Sequence, residues 1–275
     1  MEDTLENYIC KTCGTQFPAT AVPPEHCPIC EDERQYIGWE GQQWTTLAEL
    51  QAKHQNKIED EEPNLTGIGT TPGFAISQRA LLVQTPQGNL LWDCITLLDE
   101  ETKTAVNALG GIDAIAISHP HYYSSMIEWA HAFDAPIYLH AADKQWVMRP
   151  DTAVHFWEGE AKPLWDGLTL IRGGGHYAGG TMLHWPAGAN GAGVLLTGDI
   201  IQVVSDRRWV SFMYSYPNLI PLPAKKVREI VAAVAPYNFE RIYGAWWGRV
   251  VRSEAKTAVS RSAERYIAAL SADRR

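Results

Sequence analysis

Two sets of side chains in this sequence have the chemistry to hold a metal ion. The first is local. Four of the five cysteines form two C-x2-C pairs, Cys10-Lys-Thr-Cys13 and Cys27-Pro-Ile-Cys30, within twenty-one residues. Each pair can fold into a tight knuckle that presents two thiolates, and Gly14 suits the turn after the first. The pattern predicts a tetrathiolate site with zinc as its structural ion. A segment this short buries too little apolar surface to fold alone, so the ion would supply much of its folding energy. Two disulfides are the alternative. They are disfavoured because Met1 to Asn7 carry three acids and no base, unlike a secretory signal.

The second set is dispersed. Ser118-His119-Pro120-His121 follows the apolar run Ala114-Ile-Ala-Ile117, so both imidazoles emerge where a buried strand becomes a loop. On an extended chain, residues two apart point to the same side, as two ligands of one ion must. A lone buried His is more often a satisfied core residue, so the pair needs company. It has some: Gly173-Gly-Gly-His176-Tyr-Ala-Gly-Gly180 sets a His inside a glycine-rich turn, and Val194-Leu-Leu-Thr-Gly-Asp199 puts a carboxylate just past another buried strand. Three neutral imidazoles and one carboxylate suit Zn²⁺ and also Fe²⁺. A zinc held by three His with one open position lowers the pKa of its bound water to about 7. Asp199 could be a fourth ligand or the base that orients that water.

These groups need a scaffold of strands that end in loops. Beyond Pro63 the sequence predicts strands at 74–77, 80–84 and 88–95, then helices near 100–109 and 124–134 alternating with strands at 114–118 and 136–140. A second half repeats the order, with strands at 168–171, 181–185 and 193–197 ahead of helices near 223–235 and 254–271. Strands followed by strand–helix units, twice over, predict an α+β fold of two sheets with helices outside. Residues 1–38 read as the cysteine ribbon and 39–62 as a helical linker that becomes acidic at Glu59-Asp-Glu-Glu62. The main domain is then 63–275, with Pro63 as the boundary.

The dispersed set resembles the metallo-β-lactamase superfamily, whose marks are T/S-H-x-H-x-D-H, then G-H-x-x-G, then G-D, then a last His in a G-H-G turn. The first three marks occur here in order, separated by 55 positions (His121 to His176) and 23 (His176 to Asp199). The resemblance covers roughly 64–252 and implies an αββα sandwich. It also implies that His119, His121 and His176, with Asp199, hold the family's first ion. Where the family's second ion would take the motif Asp, the motif His and the final His, this chain has Tyr123, Ser124 and Trp247. The expectation is a single ion, zinc or iron, in the main domain. The cysteine segment in turn resembles zinc ribbons and the rubredoxin-like module of rubrerythrins. Glu31 stands where rubredoxins carry the glycine of the second knuckle, which favours zinc over iron.

The resemblance implies a metal-dependent hydrolase that cleaves an ester, thioester or lactone bond, with Asp199 as base and Tyr123 as a hydrogen-bond donor replacing part of the second ion's role. Two other functions remain open. One is a mononuclear iron oxidoreductase like the persulfide dioxygenases of this fold, and the other is a non-catalytic ligand-binding domain. Composition narrows the partners. Residues 1–62 hold four Lys/Arg against thirteen Asp/Glu and so carry the whole net charge of −9, while 63–275 hold nineteen of each. Neither part has the basic excess of a nucleic-acid binder. No apolar run is long enough to span a bilayer, and a cytoplasmic location is expected. A small substrate, apolar or planar given the eleven Trp, is the expected ligand; a homo-oligomer is left open. His140, His155 and Arg149 are weaker candidates for the rim of the cleft, and Cys94 reads as core.

Overall fold

The computed structural model describes residues 5–271. These divide into two compact units, residues up to 139 with 144–156, and residues 140–143 with those from 157 on.

The first unit is built on a mixed sheet. Its strands Gln55–Glu62, Leu65–Thr71, Arg79–Thr85 and Gly88–Trp92 are joined antiparallel in sequence order, and Ala114–Ala116 and Ile137–His140 continue in parallel. The central strands are almost wholly buried, which is why they read as short apolar runs rather than alternating ones. Helix Glu100–Ala108 begins on Asp99, whose carboxylate accepts from the Thr102 N–H, and helix Met126–Phe133 ends on Asp134 in the left-handed region.

Two expectations fail here. The segment 39–62 is no helical linker: one five-residue helix, Leu47–Gln51, precedes the strand Gln55–Glu62. Pro63 and Asn64 (φ 65°) form the two-residue turn of a hairpin between Glu62 and Leu65, with Pro at the first and a left-handed Asn at the second central position. The strand lies at the sheet edge, where charged residues are tolerated and protect against pairing with another chain. Residues 74–77, expected as a strand, form a turn with Ala75 and Ser77 at positive φ.

The cysteine segment belongs to this same unit. Strand Glu6–Cys10 pairs with Gln16–Thr20 on one side and Trp44–Thr45 on the other, and Cys27 and Pro28 open the single helical turn Pro28–Glu31. Its small core is the four cysteines with Phe17 and Ile29, and Ile76, Trp146 and Met148 pack against it.

The second unit contains the antiparallel run Ala161–Pro163, Thr169–Arg172, Thr181–Trp185 and Val194–Gly198, then Arg241–Gly244 in parallel and Val250–Val251. Helices Ala224–Val234 and Ala255–Leu270 bury Val227, Ile230, Val234, Ala258 and Val259 in one cluster with Ile171, Leu195 and Ile242. The sequence places both helices within a residue or two of these bounds, because each carries a clean apolar stripe.

Candidate metal centre

Among the described residues two groups of three or more Cys, His, Asp and Glu bring their ligand atoms together: Cys10, Cys13, Cys27 and Cys30, and His119, His121, His176 and Asp199. In each group those atoms lie within 4.8 Å of one another, and all eight residues are buried. They are the eight positions named from the sequence.

In the first group no disulfide forms, and the Cys10–Cys30 and Cys13–Cys27 sulfurs are 3.6 and 3.7 Å apart. A tetrahedron with zinc–sulfur bonds of about 2.3 Å has edges of about 3.8 Å, so the set fits an ion of that kind. Hydrogen bonds from its three neighbours pull the Cys10 thiol far down, while the same sharing pushes Cys13 and Cys30 up. Gly14 closes the first knuckle at φ 80°, its N–H donating to the Cys10 carbonyl at 2.8 Å.

The second group has two halves. His119 and His121 follow the buried strand Ala114–Ala116, but not on an extended chain: only His119 is extended (φ −168°). Pro120–Tyr122 is a single 3-10 turn with Pro at its start. That turn sets the two rings 5.1 Å apart, and the Tyr122 ring packs edge-on against His119 at 4.3 Å. Ser118 Oγ lies 2.9 Å from His119 Nδ1, and the Ser118 N–H donates to Asp93 Oδ1 at 2.8 Å. Asp93 is buried at the end of Gly88–Trp92, and that burial raises its carboxyl to about 7. A carboxyl, a hydroxyl and an imidazole therefore run in series into the site. Sequence reading missed Asp93; its only signal was an acid directly after an apolar strand.

His176 is held by the other half. Its Nδ1–H donates to the Tyr214 carbonyl at 2.7 Å, which leaves Nε2 as the ligand atom, the usual arrangement for a metal-binding imidazole. The glycines around it are steric requirements. Gly175 sits at φ 81°, and a Cβ at Gly180 would come within 2.9 Å of the Gly174 carbonyl oxygen. The Gly179 N–H is tied to the buried Asp143 carboxylate at 2.8 Å. Asp199 follows Gly198 (φ 51°), and its carbonyl accepts from the Tyr216 hydroxyl at 3.0 Å. Burial, then the Asp199 charge, pushes the Tyr216 phenol well up, so it stays a neutral donor. The loop 212–218 thus supports two ligands through Tyr214 and Tyr216.

Tyr123, Ser124 and Trp247 are the positions at which the resemblance places a second ion's ligands. Ser124 (φ 47°) accepts from Gln78 Nε2 at 3.1 Å, donates to the Cys94 carbonyl at 3.3 Å, and takes the Gln16 N–H on its own carbonyl at 3.0 Å. Tyr123 beside it is buried. Trp247 sits at the turn between Arg241–Gly244 and Val250–Val251, ahead of Gly248 at φ 67°. The weaker candidates are engaged elsewhere. Arg149 bonds Gln16 and the Glu128 carboxylate, and His140 accepts from the Ala142 N–H and meets the Gly159 carbonyl. His155 is exposed beside Tyr138, and Cys94 is buried as core.

Solved structures confirm the fold. The chain is similar to DIM-1 metallo-β-lactamase at a TM-score of 0.59 and 15% identity, over 78% of this chain and 98% of that one. VMB-1 gives 0.58 at 12% identity over 79% and 99%, and MEM-A1, a subclass B3 metallo-β-lactamase from a soil metagenome library, 0.52 at 17% over 77% and 95%. The class is therefore an α+β protein of the metallo-β-lactamase fold with an N-terminal cysteine ribbon. No family profile matches the chain. A protein of Bacillus subtilis (strain 168), described as "Uncharacterized protein YmaE", is 56% identical over 268 residues, 97% of each chain. The present chain belongs to the same family as that protein.

Proposed function

We propose that this chain is a metal-dependent hydrolase with one ion in its imidazole–carboxylate set, cleaving an ester, thioester or lactone bond of a small apolar or planar substrate. The observation that carries the reading is that His119, His121, His176 and Asp199 converge within 4.8 Å, while Tyr123, Ser124 and Trp247 offer no ligand of the kind a second zinc takes. Bound there, a zinc ion supplies a Lewis acid that makes water nucleophilic near neutral pH. The chain's own groups do the rest. Ser118 and the Tyr214 carbonyl fix the orientation of His119 and His176, so little reorganisation is left for the reaction. Asp199 accepts the proton of the attacking water, its backbone held by Tyr216. Tyr123 donates a hydrogen bond to the oxygen that gains charge, a part that a second ion plays in two-metal sites.

We assign zinc to both sites. Imidazole and carboxylate ligands suit it in one, and four converging sulfurs suit it in the other. The five unbridged cysteines fit a reducing compartment, and we read the protein as cytoplasmic. Among the described residues no helix is long and apolar enough to cross a membrane. The test is hydrolysis of p-nitrophenyl acetate and simple aryl thioesters by the zinc-loaded protein. Activity abolished by His119→Ala and kept in His155→Ala is expected. Zinc-loaded protein inert on the whole panel would remove the hydrolase reading.

A further inference from the structure

The cysteine ribbon is bonded to the segment that carries two of the imidazoles. The Gln16 N–H donates to the Ser124 carbonyl at 3.0 Å, and Thr96 Oγ1 donates to the Gly14 carbonyl at 3.0 Å. Gln16 Nε2 donates to the Glu128 carboxylate at 3.1 Å, and Arg149 spans the two. Gly14 directly follows Cys13 and Gln16 lies three positions past it, so bonds from the stretch just after the first knuckle run into 96 and 124. Ser124 lies three positions past His121, and Ser125 Oγ donates to the Thr96 carbonyl at 2.6 Å, which closes the circuit. The approach is tight. A Cβ at Gly14 would stand 2.4 Å from Thr96 Oγ1 and 3.2 Å from the Ala75 Cβ, at a φ of +80° that disfavours any side chain. Ser124, the position where a second ion's His is replaced, is therefore the place where the ribbon docks.

We propose that the ion of the cysteine set is a control element for the imidazole set. A loaded ribbon clamps residues 118–125 through Gly14 and Gln16, and loss of its ion frees that segment and weakens metal binding at His119 and His121. The two sites are linked, so each ion strengthens the other by the same factor. This requires that both sets bind an ion and does not depend on the hydrolase chemistry.

The ribbon's sheet has three strands, and four of the six buried residues of its cysteine core are the ligands themselves, so loss of the ion loosens the two knuckles while Ile9 stays packed with Leu50 and Leu97. Once they loosen, Ser124 keeps Gln78 and the Cys94 carbonyl but loses the Gln16 N–H, and Thr96 loses the Gly14 carbonyl. Ser124 holds a left-handed backbone (φ 47°), a costly conformation for a serine, so the loss of the Gln16 bond falls where the loop is most strained.

The experiment loads the full chain with cobalt(II). Thiolate charge-transfer bands report the cysteine set, weaker ligand-field bands report the imidazole set, and chelator titration gives the affinity of each. Cys10→Ser removes a ligand; Gly14→Ala keeps all four but drives a methyl into Thr96. Val259→Ala, in the core of the second unit, controls for general destabilisation. Both ribbon variants are expected to weaken cobalt binding at the imidazole set at least tenfold, a size ordinary for coupled sites. They should also raise amide exchange over 118–126. Val259→Ala should leave both readouts unchanged. If Cys10→Ser does not fold, Gly14→Ala carries the test. An imidazole-set affinity within twofold of wild type in Gly14→Ala, with the ribbon displaced, overturns the linkage and leaves the proposed function standing. A wild-type chain with no cobalt at that set overturns both.

Discussion

The two metal-ligand sets make an instructive pair. The cysteine set is local: its ligands lie between positions 10 and 30, on two knuckles shaped by Gly14 and by Pro28 at the start of a helical turn. The imidazole–carboxylate set draws on positions from 119 to 199, each at the end of a buried strand or in a glycine turn. The first has four identical soft ligands and no place for a substrate, so it serves folding. The second has mixed ligands and hydrogen-bonded backing groups, an arrangement that suits chemistry. A set that folds its own segment tolerates no missing ligand. A set mounted on a larger scaffold should cost less folding free energy when one of its ligands is removed.

The largest break of this comparison is Cys10→Ser. The chain should lose the ribbon ion and several kcal/mol of unfolding free energy, because binding energy at such a site is folding energy. Removing His176 should instead cost the main ion and little stability. Chemical denaturation of both variants, with metal analysis, checks this, and equal stability losses would erase the distinction.

How much of this was legible follows the same division. The cysteine spacing specifies its site because the chemistry is in the spacing itself. The His and Asp positions are legible through the glycine turns and strand ends around them, and through resemblance to a fold whose order of motifs they share. What failed is also physical. Gln55–Glu62 was misread because at a sheet edge its charges mask the alternation of a strand, and Pro63-Asn64 looks like a helix stop as readily as a hairpin turn. Asp93 accepts from the Ser118 N–H, Tyr214 accepts on its own carbonyl and Tyr216 donates to the Asp199 carbonyl; each contact is distant in sequence and has a backbone group at one end, which leaves no mark on residue type.

A second effect, smaller, separates the sites by pH. The Asp93 carboxyl is raised to about 7 in the folded chain, against about 3.9 unfolded. Its contribution is therefore fully present below about pH 4 and is lost as pH rises through 7. Relative to Asp93→Asn, wild type should lose roughly 4 kcal/mol between pH 4 and 8, from about 1.4 kcal/mol per pH unit. Denaturant midpoints of the two proteins at both pH values measure it. Curves that stay parallel would mean that Asp93 is not buried in its acid form.

Smaller again, Ser118→Ala should weaken the imidazole set by about 10–100-fold, the usual cost of losing the partner of a ligating His, with the fold and the ribbon ion intact. Chelator competition reads this directly. An unchanged affinity would show that the Asp93–Ser118–His119 series does not orient the ligand.

The most direct test of the half-site is metal stoichiometry by mass spectrometry on the full chain purified with excess zinc. Two ions per wild-type chain are expected, one in each set, and one ion in His176→Ala. Three ions in the wild type, or two retained in His176→Ala, would contradict this.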